Sequence, residues 1–359
     1  MSEKLLRLQN ALDQWQLDAV LLTRRDNIAW LTEGASYYVV ERAETGVASL
    51  LVTRDNVLLF APDNELPRIV AEEPLPFSCA TQHYPWYQSL RTVLPGGNIG
   101  SDTAIAATAD IQQKMIVLRQ GLNQQERERF QALGAETARI VEDVARQLRA
   151  GVTEYEAEAA IAAACLSCGI RPVCTLVAAD ERIAAFKHPV PTQKKLKRQM
   201  LITLGAERHG LHVSLSRMVQ IGEPDASLRQ RFLSLINIHA DMLAATQPPR
   251  SWAALFSDIA KAYQQHGYAD AWRQHHQGGP AGYGCRDWIV TPETQGEVQN
   301  HTAVAWNPTL SGVKSEDTFL INQPGLQALT RTDSWPLITL QRGEQTFRLA
   351  DWLVLPTSS

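Results

Sequence analysis

No run of apolar residues in this chain approaches the roughly 20 that a helix needs to cross a membrane. No block of Lys and Arg leaves the footprint of a nucleic-acid site, and the formal net charge over 359 residues is only -4. The first residues, Met-Ser-Glu-Lys-Leu-Leu, lack the apolar core and small-residue cleavage site of an export signal. Cysteine is scarce. Cys79, Cys165, Cys168, Cys174 and Cys285 form an odd, scattered set, which argues against a disulfide framework. Cys165 and Cys168 make a C-x-x-C, but it falls in an Ala-rich helical pattern and no second pair completes a zinc site. Buried structural thiols are the expectation. Together these absences point away from a membrane partner, a nucleic-acid partner and a disulfide scaffold, and toward a cytoplasmic protein.

The chain does have enough length and apolar content, 45% hydrophobic residues, for two domains with a sizeable core. Leu5, Leu8, Leu12 and Trp15 share one helical face, and an apolar strand follows at 19–22. Runs at 46–53 and 57–60 flank a turn and predict a hairpin. Strands and helices alternate to about residue 102, which predicts an α/β domain over residues 1–120. Asn123 caps a helix whose apolar face is Phe130, Leu133, Ile140, Val141, Val144 and Leu148. Thr153 and Glu156 form a capping box for the next. Strands are expected at 173–178, 200–204 and 211–219, helices at 227–245 and 251–265, then strands near 288–291, 303–306 and 316–321. A closing hairpin turns about Gln341, Arg342 and Gly343. Helix, helix, strands, twice over, defines a second domain at 121–359.

Polar groups cluster at one turn, Asn307, Lys314, Glu316 and Asp317. The run Gly312-Val313-Lys314-Ser315-Glu316-Asp317, following Asn307-Pro308-Thr309, resembles the late hairpin of the creatinase, aminopeptidase P and Xaa-Pro dipeptidase superfamily. The early Asn27-Ile28-Ala29-Trp30 and the polar stretch 33–44 resemble its N-terminal domain. The resemblance implies an α/β (α+β) chain with an N-terminal creatinase-like α/β domain and a C-terminal pita-bread domain. That superfamily usually binds two metal ions through two Asp, one His and two Glu. Carried over position by position, Thr203 stands for the first Asp, Ser214 for the second, Pro280 for the His and Asn307 for the first Glu. Only Glu316 remains. Thr, Ser, Asn and Pro cannot supply the charge a two-metal site needs, so neither metal nor cofactor is expected. His209, His212, His275 and His276 are the histidines from which another site would have to be built. His275 and His276, adjacent in sequence, are expected to point apart.

His188, in Phe186-Lys187-His188-Pro189, lies fifteen residues before Thr203, in the kind of loop where the superfamily keeps a proton-shuttling histidine. Creatinase hydrolyses without a metal, and the resemblance therefore implies His188 and Glu316 as a catalytic pair, a base near neutral pH beside a carboxylate. Ser216 stands where creatinase carries a further acid, so the substrate is expected to differ. In the Gly-rich stretch 277–287, Tyr283 and Arg286 are candidate donors to a carboxylate or phosphate. The alternative there is a tight turn with a buried Tyr and a surface Arg. Lys314, two residues before Glu316, is expected on the same face, and Thr203, Ser214 and Asn307 as a neutral substrate-binding floor. The function expected is a metal-independent hydrolase of a C-N bond in a small polar molecule. A homodimer is expected, in which Tyr37, Glu41 and Arg42 approach the partner's pocket. The alternatives are a metal-dependent Xaa-Pro aminopeptidase or dipeptidase, and a catalytically inactive pita-bread binding protein.

Overall fold

In the computed structural model, which describes residues 2–105 and 107–357, Leu5, Leu8 and Leu12 are buried along one face of α1 (Glu3–Trp15), as their spacing predicts. The chain divides into two compact units, Met1–Gln120 with His209–Leu211, and Gly121–Arg208 with His212–Ser359. The first unit continues with β1 (Ala19–Arg24), α2 (Arg25–Thr32), β2 (Thr45–Thr53), β3 (Val57–Pro62), α3 (Leu66–Glu72), β4 (Ala80–Tyr84), β5 (Ile99–Ser101), β6 (Ala109–Asp110) and α4 (Gln112–Leu118). Its strands form one sheet in the order β4-β3-β2-β1-β5-β6. The apolar run of β1 takes a central place because it is buried on both faces. The predicted hairpin is β2 with β3, in register from Val52 opposite Val57. Asn27 is fully buried on α2, where its amide donates to Asp102 at 2.9 Å and its carbonyl oxygen accepts from Arg119 at 2.7 Å. Tyr37 is fully buried too. It therefore cannot occupy the exposed, partner-facing position expected of it; Glu41 and Arg42 are exposed.

The second unit opens with α5 (Gln124–Arg146) and α6 (Glu154–Ser167), each started by a reciprocal capping box, Asn123 with Glu126 and Thr153 with Glu156. There follow β7 (Arg171–Ala179), α7 (Arg182–Ala185), β8 (Gln199–Arg208), β9 (Leu211–Ile221), α8 (Ala226–Ala245), α9 (Trp252–Gln265), β10 (Gly278–Ala281), β11 (Ala303–Trp306), β12 (Thr309–Leu310), β13 (Val313–Lys314), β14 (Asp317–Asn322), β15 (Gly325–Ala328), β16 (Leu337–Arg342), β17 (Gln345–Ala350) and β18 (Leu353–Leu355). Two four-stranded sheets, β18-β9-β8-β7 and β10-β11-β14-β15, carry the unit. Phe232, Leu235 and Ile236 of α8 and Leu255 and Ile259 of α9 join Met218, Val304, Trp306 and Phe319 in its core. The closing hairpin forms as predicted, β16 against β17.

Two elements differ from expectation. Residues 288–291 are not a strand. The strand lies earlier, at β10, in the glycine-rich stretch for which a tight turn was the alternative reading. The glycines are there because the backbones on either side come too close for a side chain: a Cβ on Gly278 would sit 2.0 Å from the Ala305 carbonyl oxygen, and one on Gly279 2.3 Å from that of Trp288. All five cysteines are free, and no described helix is long and apolar enough to cross a membrane.

Candidate active site

Successive residues of a strand face opposite sides, and this alternation sorts the buried charges of the second unit into two layers. On one side lie Ser214 and Ser216 of β9 with Lys314 and Glu316. On the other lie Arg217 and Asp317. Glu316 bridges to Ser216 through the backbone, the Ser216 N–H donating to its carbonyl oxygen at 3.0 Å. That pairing brings the two layers into register.

Glu316 is the centre of the first layer. One carboxylate oxygen is 2.9 Å from Arg286 Nη2; the other is 3.0 Å from Lys314 Nζ and accepts from Ser216 Oγ at 2.8 Å. Burial alone would push this carboxyl up; the two cations and the serine outweigh it and hold it far below the usual carboxylate range. A hydroxyl has one proton. Because Ser216 spends its own on Glu316, the 2.7 Å contact between Thr203 Oγ1 and Ser216 Oγ must be donated by Thr203. Thr203 in turn accepts from Lys314 Nζ at 3.4 Å. Lys314 thus reaches Glu316 both directly and through a chain that runs from Lys314 to Thr203 to Ser216 to Glu316, which closes a ring and in which each bond of the chain polarises the next. Arg286 adds a bond to Ser214 Oγ at 2.8 Å.

Behind this layer, Arg217 is fully buried, with Nη1 3.0 Å from Asp317 and Nε 3.8 Å from Glu142. Burial pushes Asp317 up, against the pull of Arg217 and the Thr330 hydroxyl. This second layer is structural.

Three imidazoles stand beside the ring. His188, exposed in the loop after α7, has its Nε2 3.0 Å from His275 Nε2. His275 and His276 follow a short 3-10 turn, Ala271–Gln274, and their rings stack with centroids 4.3 Å apart. The expectation that these neighbours diverge is wrong. They do not belong to a strand, and the chain geometry after the turn lays both rings beside His188. Burial, then Lys314, pushes His275 down to about 3; burial, then Arg286, pushes His276 down to about 4. Burial and Lys314 also lower His188, with Glu316 opposing them. All three are neutral near pH 7.

Of the residues singled out in the sequence, Thr203, Ser214, Arg286, Lys314 and Glu316 meet in one cluster. His188 lies close enough for the charges of Lys314 and Glu316 to act on it, and its hydrogen bond goes to His275 rather than to Glu316. Tyr283 does not join. It is buried, and its hydroxyl donates to Glu126 of the α5 capping box at 2.6 Å. Asn307 is buried with its amide oxygen lacking a partner, and its recorded bond runs through the backbone, from its N–H to the Gln277 carbonyl oxygen at 3.0 Å. Pro280 is inside β10, opposite Val304. The sequence named His275 and His276 only as histidines from which another site would have to be built and did not place them beside His188; it gave no sign of the role of Ser216 or of His239, a fully buried histidine of α8 bonded to Ser315 Oγ at 2.8 Å. Two adjacent histidines just before a glycine-rich strand were the available signal. A cleft of about 450 Å3 elsewhere, lined by Thr246, Gln247, Pro248, Ile321, Gln323 and neighbours, carries no titratable side chain.

A carboxylate-bridged metal pair does not fit this cluster. Both oxygens of the one remaining carboxylate are committed to Lys314 and Arg286, and the groups facing it are hydroxyls and cations. The three histidines do bring ligand atoms within 4.8 Å of one another.

Residues 128–323 match the description of metallopeptidase family M24, and residues 4–115 that of the creatinase/prolidase N-terminal domain. The chain belongs to family M24. Among curated relatives it is similar to the Xaa-Pro dipeptidase of Pyrococcus horikoshii, 20% identical over 354 residues, covering 93% of this chain and 98% of the relative. The Xaa-Pro dipeptidase of Pyrococcus furiosus is 22% identical over 353 residues, covering 93% and 99%. Among solved structures, the prolidase from Pyrococcus horikoshii superposes with a TM-score of 0.80 at 18% identity, covering 92% of this chain and 99% of that one. At such identities the likeness is one of fold.

Proposed function

We propose that this protein hydrolyses a C-N bond in a small, polar, dipeptide-like substrate without the carboxylate-bridged metal pair of its family. The observation that carries this reading is the pairing of Glu316 with both Lys314 and Arg286. Two fixed cations occupy the surroundings of the carboxylate that elsewhere in the family ligates metal. Preorganised positive charge in a buried site polarises a carbonyl and stabilises the oxyanion that forms on attack. Lys314 uses one N–H on Glu316 and one on Thr203, which leaves a third for substrate. His188 is the proton-transferring group: it takes a proton from the attacking water as the C–O bond forms and returns it to the leaving nitrogen as the C–N bond breaks.

A metal-dependent Xaa-Pro dipeptidase is the second reading, favoured by the names of the relatives and by the three-histidine cluster. One experiment separates the two. Tag-free protein is dialysed exhaustively against chelator, assayed for metals, and screened on Xaa-Pro dipeptides, small amides, guanidino compounds and sugar-amine conjugates. Turnover by protein holding well under one equivalent of Mn, Co or Zn is the expected result. Turnover that appears only on adding metal back overturns the first reading and establishes the second. A cytoplasmic homodimer belongs to the same proposal. Light scattering at micromolar concentration should give twice the 39.9 kDa chain mass, and a monomer would remove that part.

A further inference from the structure

The bond between His188 and His275 joins two ring nitrogens of the same kind, and only one of them can carry the proton. The backbone decides which. Nδ1 of His275 lies within hydrogen-bond distance of the His276 carbonyl oxygen, and a carbonyl oxygen can only accept, so Nδ1 holds a proton. A neutral His275 then has a bare Nε2, which in turn can only accept. The proton in the 3.0 Å contact therefore sits on Nε2 of His188, and neutral His188 is left with a bare Nδ1. His275 is nine-tenths buried, and the groups acting on it are the cation Lys314 and the imidazoles of His276 and His188. Lys314, Glu316 and burial act on His188, and Arg286, Lys314, His188 and Glu316 on His276. None of these neighbours turns His275 into an imidazolium at neutral pH, the one change that would reverse the direction of the bond.

We propose that His275 is a positioning residue that holds His188 in the Nε2–H form and so makes Nδ1 of His188 the atom that accepts the proton. Its catalytic consequence rests on the reading of His188 given above; the direction of the bond does not. The same direction keeps the two touching nitrogens from facing one metal together, since the Nε2 of His188 carries the proton that joins them, and the cations Lys314 and Arg286 oppose a further positive charge.

Imidazole 15N and 1H spectra of the full chain at pH 7.5, with His188→Gln for assignment, test this without any substrate. The expected spectrum has a bare Nδ1 on His188, a slowly exchanging Nε2 proton on the same ring, and a bare Nε2 on His275. In His275→Leu the His188 Nε2 proton should lose its protection. In His275→Gln, whose side-chain oxygen can accept the same bond, protection should be regained. With a substrate in hand, His275→Leu should lower kcat about tenfold or more, a part of the roughly 10²-fold that a general acid-base group supplies. KM should stay near wild type, and His275→Gln should recover most of the rate. An Nδ1–H form of His188, protection that survives His275→Leu, or one equivalent of Zn2+ retained through dialysis and lost in His275→Leu would each overturn the assignment. The predicted spectra with unchanged turnover in His275→Leu would leave the direction of the bond standing and overturn the positioning role, while His188→Ala separately decides whether His188 transfers the proton.

Discussion

Glu316→Gln is expected to lower the unfolding free energy by about 3–5 kcal/mol, the usual cost of removing one partner from a buried charge cluster. The reason lies in what is left behind. Lys314 and Arg286 would remain buried with no anion between them, and the amide keeps one acceptor oxygen, so its NH2 must face a donor, either Arg286 or the Ser216 and Lys314 pair. The sign of the pH dependence follows from the depressed carboxyl. A group whose folded pKa lies below its unfolded value of about 4.5 contributes fully above that value and loses its contribution only as the pH falls further. The difference between wild type and Glu316→Gln should therefore be flat between pH 5 and 8 and shrink in acid. Urea melts across that range measure it, and the triple replacement Lys314→Met, Arg286→Met and Glu316→Leu should recover part of the loss, since it removes both cations together with their anion. A Glu316→Gln protein as stable as wild type would mean that the carboxylate is not what holds the two cations.

His188→Ala should leave the fold intact, because the side chain is exposed and makes one hydrogen bond, to His275. It should reduce turnover by roughly 10²-fold or more, the range of general acid-base catalysis. Circular dichroism and steady-state kinetics on the substrate found by screening together decide it. A His188→Ala protein that turns over substrate at the wild-type rate places the proton transfer elsewhere.

The fold was legible because its signals are local or periodic. The capping boxes at Asn123 and Thr153, the hairpin spacing at 52–57 and the closing hairpin at 342–345 are each fixed by residues a few places apart. Glycines misled where close packing, a long-range property, dictated them: β10 was not read as a strand because nothing local shows that Ala305 and Trp288 crowd its Gly pair. The site was half legible. Lys314 and Glu316 share a face by strand alternation alone, and the loss of carboxylates at 203, 214 and 307 is visible in the residues themselves. What sequence did not show was the use made of the space, with Ser216 and Thr203 closing a ring around Glu316. Nor did it show that two adjacent histidines outside any strand would stack. Tyr283 misled for a different reason. Its partner, Glu126, lies 157 residues away, and no spacing rule connects them.

The ring around Glu316 also acts as a one-way gate on sequence change. Returning a carboxylate at Thr203 would break the ring at its middle, since a carboxylate cannot donate to Ser216, and it would give Lys314 a second anion to serve while both cations still held the oxygens of Glu316 that a metal would need. Removing Lys314 or Arg286 first would weaken the neutralisation of Glu316 in the core before any metal could replace it. Removing either cation alone thus passes through a less stable protein, and a concerted exchange of several side chains avoids it. A design that seeks to rebuild a metallopeptidase on this chain has to change positions 203, 214, 280, 286, 307 and 314 together.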